Sequence, residues 1–260
     1  MTESAPKNHR NTPGRRRSVT TPAQRSRQAE PTRYAAFTLL RSVEEGAYAN
    51  LELPRILRRA HLAGRDAAFT TELAFGTLRW QGLYDAIIAT LADRPLRTID
   101  ARVLDVLRLG AHQVLGMRVP PHAATDQTVA LARAVSGHGA GGFVNAVVRR
   151  IGERPLGEWR ELVGPADGGL AALAVRESHP EWIVTALRQA LLGHHAATTE
   201  TIDTEVAALL AADNEPAKVT LAARPGLTQI EALRRPDALP GRWAPTAVVL
   251  DGGVPGEIPE

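Results

Sequence analysis

The feature that most constrains this chain is the spacing of its apolar residues between positions 32 and 151. They recur every three or four residues, the period of one helix face. The two-residue alternation of a half-buried strand does not appear before residue 200. Thr32 is placed to cap a first helix carrying Ala36, Phe37, Leu40 and Val43, with Gly46 marking its end. A second helix fits Leu53, Ile56, Leu57 and Ala60, Pro54 being tolerated in its first turn. Asp66 is placed to cap a segment with Phe69, Leu73, Gly76 and Trp80 on one face. Leu83, Ile87, Ile88 and Leu91 extend that pattern as far as Pro95. Asp100 caps Val103, Leu107, Ala111 and Val114, and Pro120 and Pro121 open a helix through Ala124, Thr128, Leu131 and Val135. A glycine-rich turn, Gly137 to Gly142, leads into Val144, Val147, Val148 and Ile151. The pattern predicts an all-α bundle of about seven helices with short connections.

The flanks read differently. Residues 1–31 are Pro, Thr, Ser, Gln and Arg without periodicity, the composition of a disordered basic tail. The helical domain then occupies 32–153. Residues 154–200 read as a helical linker, with helices around Trp159 and from Glu181 to Leu192. Residues 201–260 read as an incomplete α/β unit: strand candidates Val219-Thr220-Leu221 and Ala247 to Leu250, with a helix at Ile230 to Leu233 between them. Two strands and one helix cannot close a sheet alone.

Charge is unevenly placed. Residues 1–30 carry Lys7, Arg10, Arg15, Arg16, Arg17, Arg25 and Arg27 against Glu3 and Glu30, a local +5 within a total of +3, so the remainder carries −2. A basic arm gains affinity for nucleic acid by releasing counterions from phosphates. From charge alone it reads equally as a solvated leader. In the folded part, Arg33 opens the first helix, Arg79 follows an apolar face, and Arg149 and Arg150 end the last core helix, where cations suit the helix dipole. With Arg25 and Arg27 they are the candidate RNA contacts, each weighed against an ordinary surface charge. Asn145, amid apolar residues, reads as a structural hydrogen-bonding residue.

Catalytic and metal chemistry finds no footing in these residues. Cysteine is absent, which excludes disulfides, cysteine metal sites and a thiol nucleophile. The eight histidines form no H-E-x-x-H. Gly137, Gly139 and Gly142 spell G-x-G-x-x-G, but a helix rather than a strand precedes them, so they read as an interhelical turn. No signal-peptide pattern and no run of 18 apolar residues occurs, and the expected location is the cytoplasm, away from membranes.

Several segments resemble a known domain. "VLRLGAHQVLG", "VPPHAATDQTVALA" (119–132) and "GFVNAVVRRI" (142–151) are similar to the second half of a NusB-like helical domain. "RDAAFTTELAFGTLRW" (65–80) is similar to its D-R-x-F-x-x-x-L-x-x-G-x-L-R pattern, with Ala68 as the departure. "ESHPEWIV" (177–184) and "ADNEPAKVTLAARPG" (212–226) resemble the segments that join this domain to the catalytic part of the RsmB/Fmu/Sun ribosomal RNA cytosine-5 methyltransferases. That resemblance implies a NusB-like domain, then a small α/β RNA-recognition subdomain, then a Rossmann-like domain that binds S-adenosylmethionine. It also implies an Arg-rich N-terminal end that contacts RNA, mapping onto Arg25, Arg27 and Arg33. The family's thiolate attacks the cytosine ring to activate carbon 5. Its methyl-donor loop and two catalytic cysteines have no counterpart up to Glu260. The expectation is therefore a non-catalytic RNA-binding region without its own cofactor, whose partner is small-subunit rRNA. The alternative is a stand-alone antitermination factor acting with a ribosomal-protein partner.

Overall fold

The computed structural model describes residues 29–250 apart from 118, 167, 217 and 237. The basic tail, with Arg25 and Arg27, lies outside the described residues. The chain divides into two compact units between Ala207 and Ala208. Eleven α-helices and three short strands occur among the described residues.

Seven helices build the first part of the larger unit: α1 (Pro31–Glu44), α2 (Ala49–Arg59), α3 (Gly64–Arg79), α4 (Gln81–Ala92), α5 (Ala101–Leu115), α6 (Pro121–Ser136) and α7 (Ala140–Ile151). The all-α bundle read from the apolar spacing is what forms. Helix α5 is its axis, packed against α1, α3, α4, α6 and α7. Its Val106, Leu107, Leu109 and Ala111 are completely buried with Leu39, Leu73, Leu83, Ile87, Val144 and Ile151. Each of these Val, Leu and Ile side chains contributes about 1.5–3 kcal/mol relative to exposure.

The punctuation behaves as expected in part. Asp100 caps α5, its Oδ1 accepting from the backbone N–H groups of Arg102 at 3.0 Å and Val103 at 3.2 Å. Thr32 is not a cap: Pro31 fits the first helical turn, Glu30 takes the cap position, and Thr32 is buried inside the helix. Asp66 is not a cap either, because the helix begins earlier, at Gly64, and places the carboxylate in its first turn. The pattern through Leu91 is two helices, broken at Trp80.

The break is held from a distance. The backbone N–H groups of Gly82 and Leu83, at the start of α4, donate to Ser178 Oγ at 3.0 and 3.3 Å. Ser178 follows α9 (Gly169–Arg176), which comes after α8 (Leu156–Leu162). Helix α8 is anchored by Trp159, whose Nε1 donates to the carbonyl of Ile151 at 2.9 Å. Helices α10 (Glu181–Gly193) and α11 (Ile202–Asp213) follow, the division between units falling within α11.

The smaller unit carries β1 (Thr220–Ala222), β2 (Ala238–Pro240) and β3 (Ala247–Leu250) in the order β1-β3-β2, antiparallel throughout. Leu221 pairs with Val248 and Leu239 with Val249. The helix expected at Ile230–Leu233 is a single 3-10 turn. The third strand, β2, is an edge strand ending in proline, a residue that edges tolerate.

Two polar clusters lie inside the bundle. Arg108 of α5 binds Asp85 of α4 through two bonds of 2.7 Å and Asp105 at 2.9 Å, with Glu44 of α1 at 3.3 Å. Asp105 also accepts from Arg41 of α1 at 3.0 Å. Burial pushes the Asp105 carboxyl up, against the pull of both arginines. The second cluster is His112, whose Nδ1 shares a 2.9 Å hydrogen bond with the Tyr84 hydroxyl and whose Nε2 lies 3.6 Å from Glu72. Burial raises the Tyr84 phenol well above its usual range, and hydrogen bonding to His112 holds Glu72 below its own.

Candidate nucleic-acid interface

The structure separates the arginines singled out in the sequence. Arg33 is 7 % exposed. Its Nε donates to Gln113 at 2.6 Å, its Nη1 pairs with Glu30, and its guanidinium stacks on Phe69. This corrects the expectation of a free phosphate contact there: Arg33 ties α1 to α5 through partners already satisfied. Burial lowers its pKa to about 10, so it remains a cation at neutral pH. Arg79 sits half-buried in the last turn of α3. Arg150 is exposed at the end of α7 and donates to the Leu91 carbonyl at 3.0 Å, closing the end of α4. Arg149 is exposed and faces a groove.

That groove runs between α6 and α7. One cleft, of roughly 450 Å³, is lined by His122, Thr125, Asp126, Asn145, Arg149 and Glu153 among others. A second, of roughly 410 Å³, is lined by Asp126, Val129, Arg133, Gly141, Gly142 and Asn145. Asp126 and Asn145 line both, so the two clefts adjoin along the α6–α7 seam. Helical spacing builds the walls. His122, Asp126, Val129 and Arg133 recur every three or four residues along α6, and Gly141, Asn145 and Arg149 every four along α7.

Asn145 corrects a second expectation. Its half-buried side chain takes no hydrogen-bond partner among the described residues and opens into both clefts, so it is available to a ligand. Gly141 leaves room for a neighbour: a Cβ there would lie 2.8 Å from Arg133 Nε, so the exposed Arg133 side chain crosses the start of α7 close to its backbone. The glycine motif joins two helices as expected, but the turn is confined to Gly137–Gly139, and Gly142 lies in the first turn of α7.

The lining is chemically mixed. Arg133 and Arg149 supply cationic donors, Asp126 and Glu153 acceptors, and Asn145 one of each. Such a set is poorly suited to a run of phosphates, which the carboxylates would repel. It suits the edges of unpaired bases, with phosphates held by the arginines. Sequence reasoning found Arg149 but not Arg133, His122 or Asp126. Their common spacing on α6 was the signal. Among the described residues no group of three or more potential ligands could hold a metal, and no helix is long and apolar enough to cross a membrane.

A helical bundle with this element order and these motifs defines a class. Residues 30–153 match the NusB family, and this part of the chain is a NusB-like domain. The chain as a whole is 42 % identical over 238 residues to a putative methyltransferase of Mycobacterium tuberculosis. The alignment covers 90 % of this chain and 50 % of that protein. It is 37 % identical over 157 residues to the ribosomal RNA small subunit methyltransferase B of Pseudomonas putida, covering 60 % of this chain and 34 % of the relative. The chain thus spans half the length or less of these relatives. Among solved structures, PH0851 shares the fold with a TM-score of 0.57 at 13 % identity, over 86 % of this chain and 49 % of that one.

Proposed function

We propose that this chain is the RNA-binding N-terminal region of an S-adenosylmethionine-dependent rRNA (cytosine-5) methyltransferase, holding small-subunit rRNA in position without performing the chemistry. The observation that carries the reading is the α6–α7 groove, with an unpartnered amide at Asn145 between two arginines, on a domain shared with relatives named as small-subunit rRNA methyltransferases. Recognition is this chain's share. Attack on cytosine by the route this family resemblance implies needs a thiolate, and the sequence contains no cysteine. The methyl donor is bound by other parts of the enzyme in this reading, and the working compartment is the cytoplasm.

The test is filter binding of the chain to fragments of small-subunit rRNA and to fully duplex RNA of the same length. Preference for fragments with unpaired loops is expected, and Asn145→Ala and Arg149→Ala should each weaken it about tenfold, the worth of one good polar contact near 1.4 kcal/mol. Equal affinity for duplex and loop RNA, unaffected by both substitutions, would remove the groove from the account. Co-purification of a ribosomal protein without rRNA binding would favour the antitermination alternative.

A further inference from the structure

The outward face of α2 carries a second concentration of nucleic-acid chemistry. Helix α2 buries Leu53 and Ile56 toward α1 and α3. On its other side Tyr48, at the cap, is 76 % exposed and Leu51 is 61 % exposed. Arg55, Arg58 and Arg59 are exposed as well. At 100° per residue these five positions fall within an arc of about 100°. Residues 55–65 contain four arginines, Arg55, Arg58, Arg59 and Arg65, and no acid, although residues 29–250 hold equal numbers of acidic and basic side chains. Arg55 lies 3.4 Å from Glu52. Arg58, Arg59 and Arg65 form no ion pair among the described residues.

The end of the helix keeps this charge together. The backbone N–H of His61 donates to the Arg58 carbonyl and that of Leu62 to the Leu57 carbonyl, the double bond of a Schellman stop. His61 adopts a left-handed φ of 53° to make it, and the chain turns directly into α3, delivering Arg65 to its first turn.

We infer that this face binds a single-stranded RNA segment, with Tyr48 stacking on a base and Arg55, Arg58, Arg59 and Arg65 holding successive phosphates. The inference rests on the RNA-binding reading above and adds a second, sequence-tolerant contact to it. An exposed aromatic beside a row of cations is how non-specific single-strand binders are built. An anionic membrane surface fits less well. A helix lying on lipid turns its apolar face outward, whereas the apolar face of α2 is buried and its charges face solvent.

The experiment is fluorescence anisotropy of the chain with a labelled, mixed-sequence single-stranded RNA across a salt series. The proteins are wild type, Tyr48→Ala, Tyr48→Phe, the double variant Arg58→Glu/Arg59→Glu, and Arg149→Ala. Tyr48→Ala should weaken binding about 10-fold, while Tyr48→Phe keeps the ring and the affinity. The double variant should weaken it further and flatten the log–log salt slope by roughly 1.4, two lost phosphate contacts at ~0.7 each. All these side chains are exposed or half-exposed, and unchanged thermal melting verifies that the variants fold. Wild-type affinity and slope in the α2 variants, with a loss in Arg149→Ala, overturn this inference and leave the RNA-binding reading standing. No binding by wild type overturns both. Equal losses in the two Tyr48 variants overturn the stacking role. Tighter binding to phosphatidylserine vesicles than to RNA overturns the choice of partner.

Discussion

Replacing Gly76 with alanine places a methyl group where the His112 ring lies. The new Cβ would stand 2.1 Å from Nε2 and 2.3 Å from Cε1. Ordinary contact requires about 3.5 Å, so the ring would have to retreat by roughly 1.4 Å. It has nowhere to go. The ring is 3 % exposed, and its Nδ1 is bonded to the buried Tyr84 hydroxyl. Overpacking of this kind costs about 1–3 kcal/mol. Displacing the ring also strands the Tyr84 hydroxyl, a further ~1–3 kcal/mol. Alanine returns about 0.5–1 kcal/mol in helix propensity. The net expectation is a loss of about 1–5 kcal/mol, read as a lower midpoint in urea denaturation followed by far-UV circular dichroism. The double variant Gly76→Ala/His112→Ala supplies the control. There the alanine methyl enters the space vacated by the ring, so the two costs should fall short of additivity by at least ~1 kcal/mol. Stability of Gly76→Ala within ~0.5 kcal/mol of wild type, or strict additivity in the cycle, would refute the contact.

Other substitutions test the remaining framework. Arg108→Leu leaves Asp85 and Asp105 without their shared cation and should cost about 3–5 kcal/mol at neutral pH. Asp105 already has a raised folded-state pKa, so the folded state takes up its proton first as pH falls, and the deficit of this variant should shrink on acidification. His61→Gly relieves a left-handed backbone at the end of α2 and should raise stability by about 0.5–1 kcal/mol, visible as a higher melting temperature. Ser178→Ala removes the acceptor at the start of α4 and should cost about 1 kcal/mol, with faster hydrogen exchange at the Gly82 and Leu83 amides.

The bundle was legible because its helices repeat apolar residues with the helical period and are separated by residues that act locally. Asp100 caps and Pro121 opens a helix through their own backbones, so neighbours in sequence suffice to predict them. The break at Trp80 was hidden because its stabilising partner, Ser178, lies 96 residues from Gly82. Helix α11 could have been found: Ile202, Val206 and Leu210 recur at a spacing of four and are all buried. Strand β2 offered only three residues and a proline. The same limits apply to the interface. Arg33 reads as an ordinary basic residue in sequence, and only tertiary packing against Gln113 and Phe69 withdraws it from the surface. Asn145 shows the reverse, a polar residue in an apolar context whose amide has no partner among the described residues.

The central claim is that RNA lies along α6 and α7. Ultraviolet crosslinking of the chain to a small-subunit rRNA fragment, with the attached peptides mapped by mass spectrometry, tests it most directly. The account predicts crosslinks within residues 121–153, lost on adding unlabelled rRNA and reduced in Asn145→Ala. Crosslinks confined to residues 208–250, with none on α6 or α7, would contradict it.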